Sequence, residues 1–161
     1  MKNLHVLPTD CPSRLRYNIK TRIWELNEFH KYHTDIKSTH NIYITSEEEI
    51  KEGDWYLDTS MKSSNFAVNK CDSERLETVA KQFKNLFKKI ILTTDQKLIV
   101  GNVQPISGEF LQQFIKNSNC EFVETERLEN GRYVNFLPNG GTEEGVYENY
   151  KIIIPSEESK Q

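Results

Sequence analysis

Three histidines fall close together, His30, His33 and His40, with Asp35 between them. A His-x-x-His pair can turn two imidazoles to one side of a turn, and His40 would close a three-ligand site for zinc. The second spacing is loose, and neither a cysteine nor a fourth ligand accompanies the set. A polar loop over 28–40 accounts for it equally, so these are weak candidates and no metal is expected. Cys11, Cys71 and Cys120 are widely spaced, odd in number and without a CxxC pair. That pattern fits reduced thiols better than a disulfide framework or a cysteine zinc site. Cys11 has Arg14 near it, which would activate a thiolate, but Asp10 opposes that effect.

Carboxylates concentrate in Glu47, Glu48, Glu49, Glu52 and Asp54. Such a run could pair two carboxylates for acid–base work or chelate a hard cation. A solvated helical turn ahead of a strand explains it as well, since Ser46 can cap that turn and acidic side chains suit its positive end. Thr93, Thr94 and Asp95 place two hydroxyls beside a carboxylate, which can hold a ligand or simply cap a turn. Lys81, Lys84, Lys88 and Lys89 interleave with Phe83 and Phe87, the composition of a face for nucleic acid or another anion. Helical spacing would turn the phenylalanines inward and leave the lysines as a solvated face. The candidate ligand-binding residues are therefore Lys81, Lys84, Lys88, Thr93, Thr94 and Asp95. Gly140-Gly141 lacks a following Lys-Ser/Thr and is a turn, not a phosphate loop. No catalytic constellation and no cofactor motif emerges, so the sequence leans away from an enzyme.

These side chains need a scaffold, and hydrophobic periodicity outlines one. Strands are expected at Leu4–Leu7, Leu15–Ile19, Asn41–Thr45, Trp55–Leu57, Phe66–Val68 and Ile90–Thr94. Leu76, Val79, Phe83, Leu86 and Phe87 recur at helical steps and predict a helix over about 73–88. Ser107, Glu109 and the stripe Phe110, Leu111, Phe114 and Ile115 predict another over about 107–117. Asn130-Gly131 predicts a tight hairpin between Thr125–Leu128 and Tyr133–Phe136, with a further turn at 138–141 and a last strand over 147–154. Gly53 is expected at positive φ, opening the Trp55 strand. The expected core contains Ile42, Ile44, Trp55, Leu57, Val79, Phe83, Ile91, Phe110, Phe114, Val123 and Ile153. The fold class is α+β: a curved, mostly antiparallel sheet or small open β-barrel with two packed helices. One domain would occupy 1–155, with a charged tail over 156–161.

The chain has 161 residues, with 21 Lys and Arg against 24 Asp and Glu, a formal net charge of −3. A sequence pI of about 5.9 argues against a general coat for duplex DNA, which needs a basic footprint. Mean hydropathy is −0.69, polar for a globular domain, yet 8 Phe, 7 Tyr and 2 Trp can seed a core. No apolar run approaches the ~20 residues of a membrane helix, and the N-terminus lacks the apolar stretch of a signal peptide. Reduced thiols and these absences lead to the expectation of a cytoplasmic protein.

Several blocks carry a resemblance: Leu4–Asp10 with Pro12–Leu15, Asn41–Ser46 with Glu48–Trp55, Lys89–Ile99, and Ile106–Asn117. In this order they resemble a family of uncharacterised small proteins of phages, prophages and mobile elements of Bacteroidetes. The resemblance spans most of 4–124 and implies a genomic context; no functional residue is carried over from it. That context, together with the absence of a catalytic constellation, leads to the expectation of a non-enzymatic accessory protein that binds a host macromolecule, protein or nucleic acid, such as a host-defence component. The lysines and aromatics leave a nucleotide- or nucleic-acid-binding, sequestering module as the alternative, and a minor virion component as a third reading. Oligomeric state is left open.

Overall fold

The segment richest in β-branched and aromatic residues takes the most enclosed position. In a computed structural model describing residues 2–26, 38–79 and 85–154, β4 (Ser38–Ser46) has Asn41 through Thr45 all buried. Alternation sends Ile42 and Ile44 into one core cluster and Tyr43 into another, so this strand is covered on both faces. β1 (Leu4–Thr9) pairs antiparallel along one edge of β4. The opposite edge is shared: β2 (Leu15–Asn18) takes Ser38–His40, and β7 (Phe87–Thr93) takes Tyr43–Ser46. β3 (Ile23–Leu26) continues beyond β2. On the far side, β5 (Trp55–Asp58) pairs with β7 and then with β6 (Val68–Lys70). β8 (Gln104–Pro105) joins β7 in the one parallel pairing among the described residues. The sheet is open and mostly antiparallel, as expected, and does not close into a barrel.

Pro8 lies inside β1, which it can do because β1 is an edge strand. That edge is partly covered by α1 (Ser64–Ala67), whose Ser64 hydroxyl donates to the Pro8 carbonyl. On the other face, α4 (Gly108–Lys116) starts where Ser107 predicts, with the Ser107 hydroxyl accepting from Phe110 N at 3.2 Å. Its Phe110, Leu111 and Phe114 are buried against Ile42, Ile44 and Leu92. Two further short helices are α2 (Ser73–Glu77) and α3 (Gln96–Val100).

The last two strands, β9 (Glu124–Phe136) and β10 (Thr142–Ile153), form a separate antiparallel hairpin. Its base is fixed to the rest of the molecule. Val123 and Tyr150 enter the main core, and the Gln104 side chain both donates to and accepts from the Tyr150 backbone. Asn3 clamps the neighbouring backbone, its Nδ2 donating to Val123 O at 2.7 Å and its Oδ1 accepting from Val123 N at 2.9 Å.

Several expectations are corrected. The helix over 73–88 is described only as Ser73–Glu77 with a further turn at 78–79, and Phe87 and Lys88 belong to β7. Phe87 is held there by its ring contact with Tyr56 of β5, at 5.3 Å between centroids. Phe66 lies in α1 and is exposed, not in a strand. The acidic stretch 46–52 forms bends and turns instead of a helical turn. Asn130-Gly131 does not turn the chain: the pairing passes from Leu128↔Asn149 to Gly131↔Tyr147, so Glu129 and Asn130 form a bulge. The chain reverses at 137–141, where Gly140 takes φ +84° and Leu137 N donates to Gly141 O. Of the expected core, Ile153 is 41% exposed, because its neighbours Ile152 and Ile154 take the inward positions of the strand. Trp55 is half-buried against the Tyr43 cluster. Phe83 and the 156–161 tail lie outside the described residues.

Candidate functional site

The edge of β7 that faces away from β4 is incompletely paired. β5 occupies it at Phe87–Lys89 and β8 at Leu92–Thr93, so no strand lies beside Ile90 and Ile91. A cleft of about 390 Å³ opens at this gap, within the ~300–1,000 Å³ range of small-ligand sites. Its walls come from the turn leading into β5, the end of β6, the segment after α3, and the base of β10.

The floor is an ion network centred on Lys89, whose side chain is only 12% exposed. Its Nζ lies 3.4 Å from Glu48 Oε2, 3.6 Å from Asp54 Oδ2 and 3.4 Å from Glu148 Oε2. Arg127 adds a second cation, with Nη2 2.7 Å from Glu148 Oε1 and Nη1 3.6 Å from Glu48 Oε1. The Tyr150 hydroxyl lies 3.1–3.2 Å from oxygens of both Glu48 and Glu148. Burial alone would lower the Lys89 pKa, but Asp54, Glu148 and Glu48 outweigh it and hold the ammonium above its ordinary value. Burial likewise pushes Glu148 up, yet Lys89, Tyr150 and Arg127 prevail and hold the carboxyl below its usual range. Burial and the two carboxylates push the Tyr150 phenol upward. Each carboxylate of the network faces a cation, which leaves none as a free general base.

The rim differs in kind. Lys51 and Lys70 are exposed and form no ion pair among the described residues. Lys70 sits directly across the β5–β6 ladder from Trp55. The Trp55 Nε1 is buried and has no hydrogen-bond partner. It rests against Gly101, where a Cβ would come within 2.9 Å of it. Gly101→Ala must therefore displace the indole, and the expected cost is about 1–3 kcal/mol. Urea unfolding read by tryptophan emission measures that cost; an unchanged midpoint would show that the indole has room to yield.

The turn before β5 is built as the sequence predicts. Gly53 takes φ +91° and Asp54 Oδ2 accepts from Lys51 N at 2.8 Å.

Of the predicted ligand residues, Lys81 and Lys84 lie outside the described residues, as do His30 and His33. Lys88 sits on β7 with its Nζ 2.8 Å from Glu47 Oε2. Thr93 is fully buried and its hydroxyl donates to Ile42 O at 2.8 Å. Thr94 Oγ1 accepts from Ile42 N at 2.9 Å and lies 3.1 Å from Asn41 Oδ1. Asp95 caps α3 by accepting from Lys97 N at 3.0 Å, and its other oxygen accepts from the buried Tyr43 hydroxyl at 2.7 Å. The Thr-Thr-Asp turn thus ties β4, β7 and α3 together. His40 makes an edge contact with Trp24 at 4.8 Å. Among the described residues no group of three or more His, Cys, Asp or Glu is placed to hold a metal ion. Cys71 is buried, and burial with the nearby Asp72, Asp54 and Glu52 charges pushes its pKa up, the reverse of an activated thiol.

What sequence reasoning missed is the cleft itself. Glu48 and Asp54 gave a signal as part of the acidic run, and Lys89 as part of the lysine and phenylalanine stretch, but nothing joined the two. Glu148 and Tyr150 gave none, because only the hairpin base brings them there. No described helix is long and apolar enough to cross a membrane. No family model matches the chain, and neither a curated protein nor a solved structure matches it.

Proposed function

We propose that the chain is a non-enzymatic accessory protein of a phage or mobile element that acts in the bacterial cytoplasm by binding a host protein, such as a defence component. The observation that supports this reading is the β9–β10 hairpin. Its strands run 13 and 12 residues and pair only with each other, while only the base joins the core. Large apolar side chains stand exposed toward its end: Val134 at 50%, Phe136 at 86% and Leu137 at 39%. A two-stranded ribbon is marginal on its own, and an exposed apolar patch with open strand edges is suited to a partner. Exposed Glu124, Glu126, Glu129, Glu143 and Glu144 outnumber the exposed Arg127, Arg132 and Lys151 on the same arm, a balance that favours a basic protein surface over nucleic acid.

Affinity purification from host lysate tests this with the parent chain and with Phe136→Asp. The expected result is a stable host protein retained by the parent and lost from the variant, with identical melting curves. Equal retention by both, or no retained protein across several hosts, would overturn the reading. A minor virion component would instead be abundant in purified particles. A nucleotide-sequestering module is the second reading, and the cleft at the β7 edge is the observation that favours it.

A further inference from the structure

We propose that the cleft beside Ile90 and Ile91 binds a small organic oxyanion, a phosphate or carboxylate ester-sized metabolite, between the Lys51 and Lys70 ammoniums and the Trp55 indole. This goes beyond the partner-binding reading, because it uses the base of the hairpin and not its exposed apolar end, and its test is separate. The first support is charge placement. The acidic side chains of the cleft, Asp54 and Glu148, are already matched by Lys89, and Glu148 also by Arg127. Among the described residues, the cationic groups left without an ion pair here are Lys51 and Lys70 at the rim, and the indole N–H within is a further donor without a partner. Two unpaired ammoniums beside a floor whose carboxylates already face cations favour a ligand rich in acceptor oxygens.

The second support is the unpartnered Trp55 Nε1. A buried donor without an acceptor is costly, and buried polar groups are nearly always satisfied. The indole edge packs against Gly101, whose missing side chain is what lets the ring lie there. An oxygen entering beside the Gly101–Asn102 turn, with a small outward shift of that turn, satisfies it. Asn102 adopts φ +75°, the left-handed conformation that asparagine commonly takes just past a helix end, so this turn lies where α3 stops and the chain enters the cleft wall. The third support is size: about 390 Å³ accommodates a mononucleotide-scale anion and no macromolecule.

The indole N–H is its own reporter. The chain has two tryptophans, so a ¹⁵N-labelled sample gives two indole signals, assigned with Trp55→Phe. AMP, inorganic phosphate and citrate are titrated separately to about 10 mM, beyond the millimolar limit of weak binding, against sodium chloride of equal ionic strength. The expected result is a saturable shift of the Trp55 signal, with Trp24 unmoved. A shift with AMP and phosphate assigns the phosphate group as the recognised element, and a shift with citrate alone assigns carboxylate. The surface double variant Lys51→Gln/Lys70→Gln should bind at least about tenfold more weakly while melting as the parent does. The proposal is overturned if no anion moves the Trp55 signal, if chloride moves it equally, or if the double variant binds as tightly as the parent.

Discussion

Phe114→Ala is expected to lower the free energy of unfolding by about 3–5 kcal/mol. Phe114 is 3% exposed and sits at the meeting point of α4 with the sheet. Its ring packs edge-on to Trp24 of β3 at 5.6 Å between centroids, so truncation opens a void bounded by helix and strand at once. The start of the helix is tied to the sheet, because Ile106 N donates to Thr93 O of β7 at 3.0 Å, which limits how far α4 can move to fill that void. A loss of this size is a large share of the ~5–15 kcal/mol that holds a domain together. Urea titration of parent and variant measures it, and Ile153→Ala, at an exposed position, serves as a control that should cost under about 0.5 kcal/mol.

Lys89→Met has the second large effect, and its sign depends on pH. Removing the ammonium leaves Glu48, Asp54 and Glu148 facing one another with only Arg127 to offset them. Breaking a fully buried pair costs about 3–5 kcal/mol, but these carboxylates are 24–39% exposed, so about 1–3 kcal/mol is expected near neutrality. In the parent, Glu148 has a folded pKa below its unfolded one. Its contribution is therefore present above the unfolded pKa, ordinarily 4.5, and is lost as pH falls through the lower folded value. Lys89 has a raised folded pKa, so its contribution is complete below its ordinary 10.5 and is lost as pH rises through the higher folded value. In the variant both relations change. Three crowded carboxylates bind protons more tightly than in the unfolded chain, so the variant should gain stability relative to the parent as pH falls from 7 toward 4.5, on top of the loss both share because burial, with Lys2 and Lys88, holds the folded His5 pKa below its ordinary 6.5. The alkaline loss due to Lys89 should vanish. Melting curves of both proteins across pH 4 to 11 test this, and parallel profiles would show that the network contributes nothing specific.

The parts of this fold that were legible in sequence are those whose local chemistry and tertiary role agree. Asn41–Thr45 is rich in β-formers and is also the central strand. Ser107 caps α4, and Gly53 takes the positive φ that its turn requires. The errors arose where tertiary pairing overruled a local signal. Asn130-Gly131 is a strong hairpin signal, yet the flanking residues continue pairing with β10, and Gly140 accommodates the reversal instead. Phe87 follows a helical period with Leu76 and Val79, yet its ring belongs to a strand beside Tyr56. The cleft was illegible for another reason: its lysines, Trp55, Gly101 and Tyr150 come from segments spread over residues 51–150, and a gap between two strands on one edge leaves no mark in either strand's sequence.

The Asn3 clamp on Val123 also governs when the molecule can take shape during synthesis. The amide side chain of the third residue meets its partner 120 residues later, and Leu4 N donates to Glu121 O alongside it. At about 5–20 residues per second, the first strand emerges many seconds before the segment that fastens it. Until then the β1 edge opposite β4 is without this fastening, and the hairpin base that supplies Tyr150 to the core has yet to be made. Closing so long a loop is entropically expensive, which places the fastening of β1 among the last steps of folding.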